Sequence, residues 1–436
     1  DVDHVLVMGM GGSSLFPEVL AQTLPGRGPT LHVLDTTDPA AIARVAERCP
    51  PARTLHVASS KSGSTIETRS HLEWAWGRSG DPARFAVVTD PGSELGALAR
   101  ERGFAEVFEN RTDIGGRYSA LSLFGIVPAL LAGVDADALL QGGADALADC
   151  APDADAGGNP ALTVAAALAA AVAAGRDKAT FVLPRDAVTL GLWLEQLIAE
   201  SLGKDGTGVV PIVGEALASP DAYGDDRLFL VDTAQIDAAD PLVRAGHPVL
   251  PLPAAADAWS IGWLVVVAEL ATALAGAALG VQPFDQPDVA AAKAATNQVL
   301  DEGDAAVAEV PLDGLLARVR PGDHLALQAF VDPGGSYAAS LEQARLALRD
   351  RHRVAVSLGF GPRFLHSTGQ LHKGGPDAIV CVQVVGDDPH EIPIPGRDFG
   401  FGHLKQAQAT GDLRTLQARG IRAGRVSLTE LAEEAR

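Results

Sequence analysis

The stretch that decides the fold lies at the start of the chain, where residues 4–14 read HVLVMGMGGSS. A short run rich in valine and leucine passes directly into glycines and serines, which is typical of a buried strand that turns tightly into a helix. Three further apolar runs follow, separated by helical sequence: LHVLD (31–35), TLHVAS (54–59) and FAVVT (85–89). This alternation predicts βαβ units that form a three-layer αβα sandwich with a mainly parallel sheet.

The second part of the chain repeats the alternation. Strands are predicted at 179–183, 208–212 and 227–231, with a helix over 189–202 and an apolar helix after Asp257. Because the pattern matches that of the first part, we predict a second α/β sandwich with a mainly parallel sheet.

The segments between and after these units differ in composition. Residues 134–177 are interpreted as a connector of Asp/Ala/Gly-rich loops around one alanine-rich helix at 160–174, and residues 301–322 as a polar linker. A third strand–helix–strand region follows, with the runs HLALQAFV, VAVSLGF and AIVCVQVVG. We predict a first domain over 1–135, a connector and second domain over 136–300, and a C-terminal α/β segment over 301–436 that completes the second domain and the active site.

The composition of the chain limits which classes of partner and substrate are expected. The 436 residues carry 34 Lys+Arg against 55 Asp+Glu, a formal charge of −21, and 47% of them are apolar. The acidic balance argues against a nucleic-acid partner, which needs a basic surface. It leaves room for a small phosphorylated substrate, which needs only one electropositive pocket. Three widely spaced cysteines (Cys49, Cys150 and Cys381) suggest neither a disulfide framework nor a zinc cluster, so a reducing cytoplasm is expected.

Two further segments bear on location. The chain starts without Met and without a signal-peptide pattern, and a strand begins within a few residues, so we expect a piece of a longer polypeptide. Residues 258–281 contain one charged residue, Glu269, and are long enough to span a membrane. Because alanine dilutes their hydropathy, we predict a helix buried against a sheet and no membrane partner.

The glycine turn after the first strand runs from Gly9 to Ser14. A dinucleotide-binding fingerprint would need glycine at Ser14, although Asp35 at the end of the second strand could serve as its ribose-binding acid. The glycines and the two hydroxyls also suit an anion at the start of a helix. A simple N-cap role for Ser13 or Ser14 is equally compatible with this motif alone.

The hydroxyl-rich turn 59–65 (SSKSGST) decides in favour of phosphate. It follows the third strand and leads into a helix, so hydroxyls, backbone N–H groups and the helix dipole can all meet a phosphate monoester. One such cluster would be read as an ordinary polar loop. Two of them at the carboxyl ends of strands occupy the position where open α/β sheets bind ligands.

Two motifs offer catalytic groups. In GGRYS (115–119) a glycine pair precedes Arg117, a cation suited to bracing a developing oxyanion. Glu200 shares a helix face with Leu197 and Gln196, so we expect it to be partly buried, with a pKa raised toward that of a general base.

Two later segments are less specific. Lys293 alone would be read as a solvated lysine. His366 and His372 stand six residues apart, with neither a nearby carboxylate nor a cysteine, which favours acid–base chemistry or substrate contact over zinc.

Together these motifs resemble those of the glucose-6-phosphate isomerase family, which has the sugar-isomerase (SIS) fold. The resemblance covers most of the chain, from Met8 to about Lys373, and implies two SIS-type sandwiches. The similar motifs are MGMGGS (8–13) to IGIGGS, SKSGSTIET (60–68) to SKTFTTxET, GGRYS (115–119) to GGRYS, ESLGK (200–204) to ESxGK and FDQPDVAAAK (284–293) to FDQxxVxxxK.

The resemblance implies cofactor-free and metal-free isomerisation of glucose 6-phosphate and fructose 6-phosphate through a cis-enediol, in glycolysis and gluconeogenesis. The catalytic residues would be Glu200 as base, Arg117 as the brace of the enediolate, and His366 with Lys293 for ring opening. The residues expected to contact substrate or phosphate are Gly12, Ser13, Ser60, Lys61, Ser62, Ser64, Thr65 and Gln286.

One departure from the family pattern matters. The ring-opening histidine of the family precedes the FDQ motif, whereas here that interval holds only His247, without a matching motif. The best match is HSTGQ (366–370), after FDQ. This order, together with HSTGQLHKGG (366–375) and the later GFGHLKQAQ (400–408), resembles the isomerase part of bifunctional transaldolase/glucose-6-phosphate isomerases. That resemblance implies an N-terminal transaldolase domain in the full-length protein. The family also implies a homodimer, and the sequence leaves open whether His366 acts in its own subunit or across an interface.

Three other functions remain as alternatives. One is an isomerase for another hexose 6-phosphate or for an amino sugar. The second is a sugar-phosphate-sensing SIS module without turnover, which would not need Glu200 and Arg117 together. The third is an NAD-dependent dehydrogenase, which Ser14 disfavours.

Overall fold

The computed structural model describes residues 2–24, 26–153, 157–287, 289–302 and 307–434, without the side chains of 289–293. The strands are β1 (His4–Met8), β2 (Thr30–Leu34), β3 (Thr54–Ser59), β4 (Phe85–Thr89), β5 (Glu106–Glu109), β6 (Lys178–Val182), β7 (Val210–Ile212), β8 (Arg227–Asp232), β9 (Val249–Leu252), β10 (His324–Phe330), β11 (Ala355–Phe360), β12 (Ile379–Val385) and β13 (Arg422–Arg425). The α-helices are α1 (Leu15–Thr23), α2 (Pro39–Arg48), α3 (Ile66–Ser79), α4 (Glu94–Arg102), α5 (Leu123–Ala132), α6 (Ala136–Asp149), α7 (Pro160–Ala173), α8 (Val188–Leu202), α9 (Asp240–Arg244), α10 (Ala258–Leu279), α11 (Val289–Glu302), α12 (Leu312–Leu316), α13 (Ala338–His352), α14 (Gly369–Gly374), α15 (Phe401–Ala418) and α16 (Leu428–Glu433).

These strands form three parallel sheets. The first has the order β2-β1-β3-β4-β5, the second β7-β6-β8-β9 and the third β11-β10-β12-β13. In each sheet the central strands are apolar and buried, as parallel sheets covered by helices on both faces require. The α/β class and the mainly parallel sheets predicted from the sequence are thereby confirmed.

The C-terminal region has a sheet of its own. Its three predicted strands are present as β10, β11 and β12, and β13 completes the sheet. Within the described part of the chain, this region adds no strand to the second sheet. It contacts the rest of the protein through side chains and through backbone groups, such as the Gly206 N–H group that donates to the Gly374 carbonyl oxygen at 3.0 Å. The domain boundaries 1–135, 136–300 and 301–436 stay a prediction.

One segment of the connector was assigned wrongly. Residues 135–149 (DADALLQGGADALAD) were expected to form a loop because they are rich in Asp, Ala and Gly, but residues 136–149 form the helix α6. An added Cβ at Gly142 would lie 2.0 Å from the carbonyl oxygen of Trp259 on α10. The glycines therefore permit two helix backbones to touch. Asp135 caps the helix by accepting from the Ala138 N–H group.

Two other local differences concern short elements. The strand β5 was not predicted, because its sequence EVFE is short and exposed at both ends. The predicted polar linker 301–322 contains the helix α12, and its residues 303–306 lie outside the described residues.

The apolar segment 258–281 forms α10, which packs between α6, α7 and α8. By length and composition it is the one helix among the described residues that could cross a membrane, and 44% of its most apolar window is buried in the structure. Ile261, Val265 and Ala275 are inaccessible in the core. The helix is therefore buried only in part, and its main partners are helices and not the sheet that the prediction named.

Candidate active site

The glycine turn after β1 brings two loops into contact. Gly12 lies so close to the GGRYS loop that an added Cβ would be 1.9 Å from the carbonyl oxygen of Gly116. Ser13 is 8% exposed and lines the cleft above the sheet. Ser14 precedes α1 but donates its hydroxyl to the Gly11 carbonyl, so it makes no capping bond. Only glycine permits this approach, which places both loops at one cleft.

The second turn forms a cradle at the carboxyl end of β3. The Gly63 N–H group donates to Ser60 Oγ, and the hydroxyls of Ser60 and Thr65 are 3.1 Å apart. Thr65 stands at the N-cap of α3 without capping it through its side chain, so the dipole of this 14-residue helix points into the cradle. The Lys61 ammonium lies at the rim, bound to Asp90 Oδ2 and to the Thr112 carbonyl oxygen.

Glu200 and Arg117 meet at the floor of the cleft. Glu200 is 5% and Arg117 1% exposed, and Arg117 Nη1 lies 3.8 Å from Glu200 Oε2. The guanidinium is held by the Ser201 hydroxyl at 2.7 Å and the Asp285 carbonyl oxygen at 3.0 Å. Burial raises the pKa of the Glu200 carboxyl, and the charge of Arg117 opposes that rise. The expected burial of the glutamate is met, and a buried carboxylate with a raised pKa suits a general base.

Gln196 was not among the predicted site residues. It lies one helical turn before Glu200 on α8, where its Nε2 donates to Glu200 Oε2 at 3.1 Å and to the His366 carbonyl oxygen at 2.9 Å. Its Oε1 is buried and has no hydrogen-bond partner among the residues that the structure describes. The four-residue spacing from Glu200 was a usable signal for this position.

His366 enters the cleft from the loop after β11. Its Nε2 lies 2.8 Å from Glu67 Oε1, at the first turn of α3. Burial would raise the pKa of Glu67, but the imidazole of His366 and the hydrogen bond to it lower this pKa overall. An ionised carboxylate only accepts hydrogen bonds, so Nε2 carries a proton and Nδ1 is left for other partners.

The FDQ turn is fastened to the end of α8. The ammonium of Lys204, which is 1% exposed, donates to Asp285 Oδ1 and to the carbonyl oxygens of Asp285 and Gln282. Gln286 thereby lines the cleft. Lys293 belongs to α11, but its side chain lies outside the described residues.

These loops enclose one open cleft of about 460 Å³. It is lined by Met10, Gly11, Gly12, Ser13, Ser59, Ser60, Lys61, Ser62, Thr65, Asp90, Gly116, Arg117, Gln196, Glu200, Gln286 and His366. Ser64, also predicted to contact phosphate, lines an adjoining cavity of about 250 Å³ instead. The cleft has the size of a small-molecule site. It combines hydrogen-bond donors that suit a phosphate with side chains that can exchange protons.

Two side chains considered in the sequence lie elsewhere. Asp35 cannot serve as a free ribose-binding acid, because Arg363 binds both of its carboxylate oxygens, at 2.7 and 2.8 Å. His372 is buried beside Gln328, 3.1 Å from its amide nitrogen, and burial lowers its pKa well below the ordinary value. The described residues hold no cluster of three or more metal-binding side chains.

Known proteins match the chain in sequence and in structure. The phosphoglucose isomerase family model matches residues 1–216. A glucose-6-phosphate isomerase of Rubrobacter xylanophilus is 32% identical over 361 residues, which cover 68% of this chain and 81% of that protein. One of a Synechococcus species (strain JA-3-3Ab) is 40% identical over 214 residues, 46% of this chain and 40% of that protein.

Among solved structures, a hypothetical protein of Thermus thermophilus superposes with a TM-score of 0.61 at 29% identity, over 69% of this chain and 84% of that one. A glucose-6-phosphate isomerase of Chlamydia trachomatis does so with a TM-score of 0.58 at 21% identity, over 69% and 70% of the two chains. The second likeness shows the fold alone.

A parallel α/β fold whose cleft joins a hydroxyl-rich turn to a buried carboxylate and a buried cation agrees with the class of sugar-phosphate isomerases. The identity and coverage of the Rubrobacter relative are more specific: the chain belongs to the glucose-6-phosphate isomerase family. The reaction of this family is the reversible isomerisation of glucose 6-phosphate and fructose 6-phosphate. The family resemblance and the isomerase class expected from the motifs are confirmed.

Proposed function

We propose that the 460 Å³ cleft is where this chain interconverts glucose 6-phosphate and fructose 6-phosphate through a cis-enediol. Ser13, Ser60, Ser62 and Thr65 hold the phosphate, together with backbone N–H groups at the start of α3. Lys61 acts on the phosphate through its charge, since Asp90 and Thr112 already bind its ammonium. This remote binding energy orients the reacting carbons.

Glu200 is the base that moves a proton between C2 and C1. Its carboxylate borders the same cleft as the phosphate cradle and is held by Gln196. Arg117 Nη1 has no hydrogen-bond partner within the described residues, although it is buried beside the carboxylate. That unfilled donor is the observation that carries the proposal, because it is available to the negative oxygen of an enediolate.

His366 opens the sugar ring, with Lys293 as a second group on the strength of the family resemblance. The hydrogen bond from His366 Nε2 to Glu67 leaves Nδ1 to exchange a proton with the sugar. His366 and Glu200 border the cleft within one chain, which supports a histidine that acts in its own subunit. Gln286 contacts the sugar from the FDQ turn.

The location of the enzyme, its oligomeric state and a further domain belong to the same proposal. Its three cysteines are free, in keeping with a reducing cytoplasm as its location. A homodimer and an N-terminal transaldolase domain are proposed on the resemblance to the bifunctional enzymes, and an intact mass together with light scattering of the natural protein tests both.

The reaction is tested with Glu200→Gln. The purified chain is given fructose 6-phosphate in EDTA, and glucose 6-phosphate is followed through an NADP-linked dehydrogenase. We expect EDTA-resistant turnover that falls by at least about a thousandfold in the variant, as for loss of a proton-transfer group. The matched control is Glu195→Gln, at a buried glutamate of the same helix, whose burial raises its pKa to about 8 and which does not line the cleft.

Two results would contradict the proposal. Turnover that survives Glu200→Gln removes the base assignment but leaves the enzyme class. Binding of fructose 6-phosphate without any turnover in the wild type favours the sensing module.

A further inference from the structure

The helix α15 is connected to His366 through the carboxylate of Glu67. Gln408 on this helix donates its Nε2–H to Glu67 Oε1 at 2.7 Å, and His366 Nε2 lies 2.8 Å from the same oxygen. On the other side, the Thr37 hydroxyl donates to Gln408 Oε1 at 2.8 Å. Thr37, Glu67 and Gln408 are each at most 3% exposed. Four residues from four separate segments of the chain thus form one hydrogen-bonded row that ends at His366.

We infer that Gln408 is a positioning residue for ring opening, which fixes Glu67 and through it the orientation and tautomer of His366. This inference rests on the proposed role of His366. Gln408 borders the adjoining 250 Å³ cavity and does not line the main cleft, so it acts through the carboxylate and takes no part in the chemistry itself.

The direction of the amide is set by its two neighbours. Thr37 donates to the oxygen of Gln408, so the NH₂ group faces Glu67. A flipped amide would direct its oxygen at a buried carboxylate and leave two acceptors facing each other. Hydrogen bonds to a charged acceptor are the strong ones, and two donors on one oxygen hold Glu67 in a single rotamer.

The helix that carries Gln408 is itself fixed on the first unit. Three residues earlier, Lys405 is completely buried and its ammonium binds Asp38 Oδ2 at 3.0 Å and Asp388 Oδ1 at 2.6 Å. One residue later, the Ala409 carbonyl oxygen accepts from Gln383 on β12 at 2.9 Å. Gln408 therefore has little freedom to move away from Glu67, as a positioning group requires.

The consequence falls on His366. With Glu67 held as an acceptor, the imidazole keeps its proton on Nε2 and presents Nδ1 to the sugar. Without Gln408, the carboxylate loses one of its two donors and can rotate. The imidazole then populates other rotamers and the Nδ1–H tautomer, so a smaller fraction of the enzyme is ready to open the ring.

The test compares Gln408→Met with Gln406→Met. Methionine keeps the length and shape of the side chain but has no amide, and Gln406 lies on the same helix, half-buried and without a place in the row. We expect Gln408→Met to lower kcat for fructose 6-phosphate about tenfold while KM changes less than threefold, and Gln406→Met to match the wild type. Thr37→Val, which removes only the bond that orients the amide, should lower kcat in the same direction but less.

A spectroscopic readout separates positioning from general damage. In protein with ¹⁵N-labelled histidine, the His366 signal is assigned by its loss in His366→Asn. It should report an Nε2–H tautomer in the wild type and a mixture of tautomers in Gln408→Met. If kcat and the His366 signal are unchanged in both Gln408→Met and Thr37→Val, the inference is wrong. If His366→Asn retains full turnover, the proposed ring-opening role fails instead.

Discussion

Arg117 Nη1 lies 3.8 Å from Glu200 Oε2, and the side chains of the two residues are 1% and 7% exposed. The arginine is positioned by neutral partners, the Ser201 hydroxyl and the carbonyl oxygens of Pro283 and Asp285. Its charge is therefore only partly offset by the carboxylate. A fixed cation next to a buried base stabilises negative charge that develops on the substrate without having to reorganise.

Replacing this cation by another tests the geometry. Arg117→Lys keeps the charge, but an ammonium cannot maintain the bonds to Ser201 and Asp285 and still reach the substrate. We expect kcat to fall about a hundredfold with a smaller change in KM. Arg111→Lys, at an exposed ion pair with Asp113, is the control and should be neutral. A lysine variant with full kcat would show that only the charge matters.

The pH profile should report the burial of Glu200. The carboxyl must be ionised to act as base, and burial raises its pKa above 4.5 against the opposing influence of Arg117, Gln196, His366 and Lys204. The acid limb of kcat/KM is therefore expected above pH 4.5. Removing the opposing charge by Arg117→Met should move that limb further upward, because the carboxyl then loses its strongest cationic neighbour. A limb that stays in place in this variant would mean that another group controls it.

The burial of Glu200 that suits catalysis is also expected to lower the stability of the folded protein at neutral pH. A raised pKa in the folded state means that Glu200 binds its proton more tightly there than in the unfolded chain. The folded state thus loses stability as pH rises from the unfolded value through the folded one. Glu200→Gln has no charge to bury, so its melting temperature should exceed that of the wild type at pH 7. The difference should shrink toward zero below pH 4, and a constant difference would contradict the explanation.

The phosphate cradle should respond to loss of a single hydroxyl. Ser60 Oγ accepts from the Gly63 N–H group and bonds Thr65, so Ser60→Ala loosens the loop and removes a donor. We expect KM for fructose 6-phosphate and the inhibition constant of inorganic phosphate to rise together about tenfold, with a smaller effect on kcat. Ser79→Ala, at the last residue of the helix α3 that follows the cradle, is the control. A variant with unchanged phosphate inhibition would place the phosphate elsewhere.

A mixing experiment shows which subunit supplies the histidine. His366 binds Gln196 and Glu67 of the same chain through its carbonyl oxygen and Nε2. Glu200→Gln and His366→Asn should each be inactive, and co-refolding them together should restore nothing. Co-refolding Glu200→Gln with wild type gives the reference for protein that folds normally in a mixture. Recovered activity in the mixture of the two mutants would instead mean that the histidine crosses an interface.

Sequence reasoning succeeded where local pattern and chemistry coincide. The strands at 54–59 and 85–89 lie where they were predicted, since apolar runs bounded by turn residues leave little choice. It failed at α6, where a composition rich in Asp, Ala and Gly was interpreted as a loop although the glycine Gly142 permits a helix contact. Glycine has both uses, and only the neighbouring backbone distinguishes them.

The residues of the candidate site also fall into two groups, those that the sequence indicated and those that it did not. Glu200, Arg117 and the serine turns stand in short motifs whose spacing places them at strand or helix ends. Gln408 ends the stretch GFGHLKQAQ (400–408), to which the sequence assigned no role, and it lies 341 residues from its partner Glu67. Its importance comes from the docking of the third unit against the first, which buried side chains such as Lys405 secure.

The sequence by itself determined the alternating αβ order, the loops that follow β1 and β3, and the chemical groups those loops carry. It did so because strand periodicity, glycine turns and hydroxyl clusters are local properties of the chain. Only the tertiary structure decided that a third parallel sheet brings His366 to Glu67 and Gln196, and that Asp35 is used up by Arg363. These contacts join residues about 170 to 330 positions apart, and they depend on how buried polar groups find partners when the sheets pack together.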